Sequence, residues 1–112
     1  MMARTNDGVA KAWIEGRIAE SGHMRTDGRS IWSYGLMIGH ICPDNRILVR
    51  NAQAPSRHNP GGRYYSMTTS SKHMPPVISA AFGARADYGH PVELIDDDKF
   101  QVLAYSHGAR TA

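Results

Sequence analysis

Cysteine is nearly absent from this chain: Cys42 stands alone. No intrachain disulfide can form, and no cysteine-rich zinc site exists. No apolar run approaches the length of a membrane span. Met1 to Ala10 is polar and lacks the apolar core of a secretion signal, so the expected location is the cytosol. The phosphate-loop pattern Gly-x4-Gly-Lys-Ser/Thr is missing, as is Gly-x-Gly-x-x-Gly. No Gly-x-Ser-x-Gly elbow presents a nucleophile. None of the six histidines (His23, His40, His58, His73, His90, His107) forms a short-spaced pair on one element. A metal centre built on such a pair is therefore not expected, and no cofactor is implied. Asp96-Asp97-Asp98 lacks the Gly and Glu that complete a calcium loop.

What is present is a chain of 112 residues, enough for one domain with one modest core. Hydrophobic residues make up 41% and charged residues 21%, the balance of a folded globular chain. A core this small makes self-association, as a dimer or higher homo-oligomer, an expected way to bury more surface. The net charge of +3 is unevenly spread. Between His23 and His73 seven basic residues face two acids, Asp27 and Asp44, whereas from Arg85 onward three basic residues face five acids. Carboxylates are too scarce in the basic middle for paired-acid hydrolysis there. Arginine outnumbers lysine ten to three. Its planar fork suits phosphate and carboxylate contacts, although a GC-rich genome raises the arginine count by itself.

The hydropathy pattern predicts the order α-β-β-β-α-β-β. Val9, Trp13, Ile14 and Ile18 share a face of a helix over Asn6–Glu20, capped by Asn6 or Asp7. Gly16 weakens that helix by about 1 kcal/mol relative to Ala. Ser21–Gly28 reads as a loop. Ser30–Ile41 reads as one strand, with Trp32, Tyr34, Leu36 and Ile38 on its core face. Cys42-Pro43-Asp44-Asn45 turns the chain, leaving Cys42 at the surface, and Arg46–Ala52 returns as a second strand. Gln53–Gly62 is irregular, and Arg63–Thr69 alternates as a third strand. Pro75-Pro76 opens a helix that Gly89 ends. Val92–Ile95 and Phe100–Tyr105 read as strands joined by Asp96–Lys99, and the tail beyond Ser106 as frayed. The expected fold is a small single α+β domain spanning 1–112 with short frayed termini. Its sheet is mostly antiparallel, with a β-hairpin at about 30–52 and one or two packed helices. The octets from Gly22 to Arg29 and from Gly39 to Arg46 share Gly-His-x3-Asp-x-Arg, which reads as shared turn chemistry.

The densest chemistry lies in Arg63-Tyr64-Tyr65-Ser66-Met67-Thr68-Thr69-Ser70-Ser71-Lys72-His73. Five hydroxyl side chains fall within six residues, between an arginine and a Lys-His pair. Hydroxyls, cations and helix-start amides together are the equipment for holding an anion. The plainer reading is a strand end followed by a helix cap. Arg57, Arg63, Tyr65, Ser66, Thr68, Thr69, Lys72 and His73 are the candidate ligand-binding residues, with Tyr65 stacking on a base.

The motifs Trp13-x-x-Gly16, Ser21-Gly22-x-x-x-Thr26-Asp27-Gly28, Ser33-Tyr34-Gly35-x-x-Ile38 and Tyr65-Ser66-x-Thr68-Thr69-Ser70-x-Lys72-His73 resemble a family of small uncharacterised bacteriophage-encoded proteins. The resemblance covers roughly residues 13 to 80. This chain departs from the family pattern at His23, where Asn is usual, at the extra residue in Ser70-Ser71, and in the longer Gln53–Gly62 loop. The resemblance implies phage origin, action in the host cytoplasm, and a role in host takeover or counter-defence. The expected function is then a non-enzymatic protein that binds a phosphate-bearing ligand, such as a nucleotide signal or nucleic-acid segment. One alternative is a protein–protein inhibitor of a host defence effector such as a nuclease, docking a basic face on an acidic patch. Another is a small hydrolase of nucleic acid using His73 and a second histidine.

Overall fold

The computed structural model describes residues 5–52, 57, 62–63, 65 and 68–109. Among these residues, six strands form one sheet in chain order: β1 (Ala19–Ser21), β2 (Met24–Thr26), β3 (Ser30–Ser33), β4 (Leu36–Ile41), β5 (Ile47–Arg50) and β6 (Val92–Ile95). The first five are antiparallel neighbours, and β6 lies parallel to β5. A parallel neighbour needs a crossover, which carries α2 (Met74–Tyr88). Helix α1 (Asn6–Ile14) and α2 pack on one face, around Trp13, Ile31, Ile38, Ile47, Val49 and Val77. Helix α3 (Asp97–Ser106) packs on the other, where Phe100 and Ala104 meet Trp32, Met37, Cys42 and Leu48. The chain is thus the small, mostly antiparallel α+β domain expected.

Local chemistry sets each boundary. Thr5, one residue before the expected caps, caps α1 by accepting the Gly8 amide at 3.0 Å. The helix stops at Ile14 rather than Glu20 because Gly16 adopts a φ of 74°. The Arg17 amide then bonds the Ala12 carbonyl at 2.8 Å, and the Gly16 amide bonds that of Trp13 at 3.2 Å. This closing motif favours glycine at its left-handed position, so Gly16 is a stop and not a weak point inside the helix. Ile18 falls past the end and is 78% exposed. The expected loop at Ser21–Gly28 holds most of a short hairpin, with β1 and β2 turning at Gly22-His23.

The expected strand Ser30–Ile41 is two strands. Tyr34 and Gly35, with φ of 53° and 85°, make a two-residue turn between Ser33 and Leu36. That turn, together with a bulge, breaks the expected sidedness. The register steps from Ile31↔Gly39 to Trp32↔Met37, leaving Ile38 as the extra residue. Trp32 therefore packs under α3 while Ile38 packs under α1 and α2, and Leu36 is only half-buried. Gly39 is required here: a Cβ would lie 2.8 Å from both Ile31 Cγ2 and Trp13 Cζ2.

The hairpin of β4 and β5 forms across Cys42–Asn45 as expected, and Ile47 and Val49 face away from Leu48 and Arg50. Cys42 is buried rather than superficial, because its amide extends the ladder to the Arg46 carbonyl at 2.8 Å. Asp27 accepts the Arg29 and Ser30 amides, and Asp44 accepts that of Arg46. The two similar octets share this aspartate turn.

Two expected strands do not appear among the described residues. Arg63 and Tyr65 lie outside any strand, and Thr69–His73 forms a π-turn that runs into α2 (residues 64, 66 and 67 lie outside the described residues). The reason lies in Pro75-Pro76. Neither proline has an amide proton to give the carbonyls four residues back. The Met74 amide bonds the Thr69 carbonyl in a wider turn, and Asn6 Nδ2 of α1 reaches the Lys72 carbonyl at 3.4 Å. Phe100–Tyr105 is helical because Asp97 and Asp98 favour a helix N-terminus and Phe100 with Ala104 repeat at helical spacing toward the sheet. Gly89, with a φ of 72°, closes α2 as expected.

Candidate functional site

The turns at Gly22-His23 and Tyr34-Gly35 lie side by side at one end of the sheet, joined by the Tyr34 amide to the His23 carbonyl at 2.9 Å. The rings of His23 and Tyr34 stack at 4.4 Å, and His73 follows at 5.6 Å from Tyr34. Tyr34 is 51% exposed although its backbone adopts a conformation that bulky residues avoid. Such strain concentrates at ligand clamps and active sites.

Beneath Tyr34, the Ser33 hydroxyl joins β3 to the π-turn. It lies 2.5 Å from His73 Nδ1 and 2.8 Å from Thr69 Oγ1, and all three residues are buried. Burial, and then the neighbouring His23, hold the His73 imidazole below its ordinary pKa. Ser33 Oγ thus bridges His73 Nδ1 and Thr69 Oγ1. This chain of hydrogen bonds fixes the π-turn against the sheet.

A cavity of about 290 Å³ opens beside this chain, lined by Ser33, Tyr34, Leu36, Tyr65 and Thr69. Tyr65 is anchored from behind. Its phenol donates to the Asp97 carboxylate at the start of α3. Burial, and then this hydrogen bond, raise the Tyr65 pKa. Arg50 Nε lies 3.1 Å from Asp97 Oδ1, too poorly aligned for a hydrogen bond, while Arg50 Nη1 donates to the Met37 carbonyl at 2.9 Å. Arg63 Nη1 stands 3.6 Å from Asp97 Oδ2, with its guanidinium 5.3 Å from the Tyr65 ring centre.

Of the residues singled out from sequence, Tyr65 and Thr69 line the cavity and Arg63 borders the Tyr65 ring. His73 lies in the buried layer behind Ser33. Thr68 is half-buried and makes no capping bond, and Lys72 and Arg57 are exposed and do not line the cavity. Ser66 lies outside the described residues. Sequence reasoning missed Ser33, Tyr34, Leu36, His23 and Asp97. Reading Tyr34-Gly35 as a two-residue turn between apolar runs would have exposed the first three.

A second histidine is also committed to structure. His40 Nε2 donates to the His107 carbonyl at 2.9 Å, and its Nδ1 lies 2.8 Å from Ser30 Oγ. Burial holds His40 below its ordinary pKa. Among the described residues, no three His, Cys, Asp or Glu side chains gather as metal ligands. No described helix is long and apolar enough to cross a membrane. Comparison with protein-family models, with curated proteins and with solved structures returns no match.

Proposed function

We propose that this is a non-enzymatic accessory protein of phage type, which binds a phosphate-bearing ligand in host takeover or counter-defence. The observation that carries this reading is the cavity walled by Tyr34 and Tyr65, with Arg63 beside it. Aromatic faces accept a base by stacking, and an exposed arginine meets phosphate in a bidentate contact. Two of the four motifs that carry the phage resemblance also meet here: Ser33-Tyr34 from one, Tyr65 and Thr69 from the other. Binding without turnover is favoured because burial and His23 are the causes of the lowered His73 pKa, with no carboxylate among the described residues beside the ring to orient it as a base. The edge strands β1 and β6, with Ile18 and Leu94 exposed, support action as a homodimer.

The test is a thermal-shift screen over nucleotides with the wild type and Tyr34→Asn. Asn tolerates the left-handed backbone of position 34, so the variant keeps the fold. A ligand at a hundredfold excess over its Kd stabilises the wild type by about 2.7 kcal/mol. The expected result is a raised Tm for the wild type and little or no rise for the variant. An equal rise in both proteins, or none with any nucleotide at millimolar concentration, contradicts the reading.

A further inference from the structure

The size and charge of the cavity narrow the ligand class. At about 290 Å³ the space lies at the small end of the roughly 300–1,000 Å³ typical of small-molecule sites. Its walls offer one ring site, open on one side to solvent, where the rest of a ligand lies. Its described apolar walls are Tyr34, Leu36 and Tyr65, so the faces of a planar ring are what it holds best. The Ser33 hydroxyl on its floor is already engaged with His73 and Thr69. It therefore offers little with which to tell one base edge from another.

The charges count in the same direction. Arg50 is buried and directed at Asp97 and the Met37 carbonyl. Arg63 shares Asp97 at 3.6 Å but is 66% exposed, so it can turn outward. Two arginines against one carboxylate leave one positive charge uncompensated in the group. One such charge beside one ring pocket matches one phosphate.

We infer that the ligand is a single nucleotide unit, one base held by its faces and one phosphate held by Arg63, rather than a dinucleotide signal or an oligonucleotide strand. This rests on the nucleotide-binding reading above and specifies the class of ligand for that same cavity.

Isothermal titration calorimetry on the full chain tests it, with adenosine, AMP, GMP, CMP, UMP, the linear dinucleotide pApA and a ten-residue oligo(dA) as probes. The expected result is AMP at least tenfold tighter than adenosine, the four monophosphates within tenfold of one another, and pApA and the oligonucleotide within about threefold of AMP per site. Arg63→Ala should bring AMP down to the adenosine level, with a much smaller change in adenosine binding. If pApA or the oligonucleotide binds more than tenfold tighter than AMP, the single-unit inference is wrong while nucleotide binding stands. AMP binding no tighter than adenosine, or an Arg63→Ala variant that keeps full AMP affinity, overturns the phosphate assignment. If no probe binds, the nucleotide reading itself falls.

Discussion

Replacing Asp97 by Ala should be among the most damaging single changes outside the apolar core. The Arg50 and Asp97 side chains are only 5% and 14% exposed. Removing one partner of a buried ion pair costs roughly 3–5 kcal/mol, because the remaining charge stays buried without compensation. Arg50 keeps the Met37 carbonyl and its position over the Phe100 ring at 5.1 Å, which favours the lower end, about 3 kcal/mol. The Tyr65 phenol also loses its acceptor, adding about 1 kcal/mol. For a chain of this length a loss of about 4 kcal/mol lowers Tm by roughly 13–24 °C. Urea unfolding supplies the measurement, with the midpoint and slope recorded for Asp97→Ala, Arg50→Met and the double variant. The double variant should be more stable than Asp97→Ala alone, since removing both charges removes the orphan. An Asp97→Ala cost below about 1 kcal/mol, or additive single and double effects, refutes the reasoning.

Gly39→Ala should destabilise by about 1–3 kcal/mol, because the new methyl meets Ile31 and Trp13 in a packed bulge; an unchanged urea midpoint contradicts that packing. Stability should also fall on mild acidification. His40 and His73 are held below their ordinary pKa chiefly by burial, so the unfolded chain binds more protons than the folded one just below about pH 6.5. Their contribution is complete above that pH and declines as pH drops toward the folded-state values. The urea midpoint should decrease from pH 7 to pH 5, and less steeply in folded His40 or His73 variants; a flat or rising midpoint contradicts the buried neutral assignment.

Signals confined to short segments were legible in the sequence. Cys42-Pro43-Asp44-Asn45 marked a turn, Pro75-Pro76 and Gly89 bracketed a helix, and Val92–Ile95 formed the strand its β-branched residues favour. Signals that depend on distant partners were not legible. Phe100–Tyr105 contains good strand formers, yet Phe100 finds its partners in Trp32 and Leu48, and helical spacing is what reaches them. Tyr34 looked like core because it alternates with Trp32 and Leu36; the positive φ at Tyr34 and Gly35 turns it outward instead. In the candidate site, Arg63, Tyr65 and Thr69 stood out as one polar and aromatic segment. The role of His73 did not, because nothing in its own neighbourhood announces that Ser33, forty residues earlier, buries against its Nδ1.

The most direct test of the central claim is a crystal structure of the protein grown with the tightest-binding nucleoside monophosphate. The account predicts the base between Tyr34 and Tyr65, against Leu36, with its phosphate on the Arg63 guanidinium. A nucleotide bound elsewhere, for example in the groove between α1 and α2 beside Lys11 and Ala80, would contradict it.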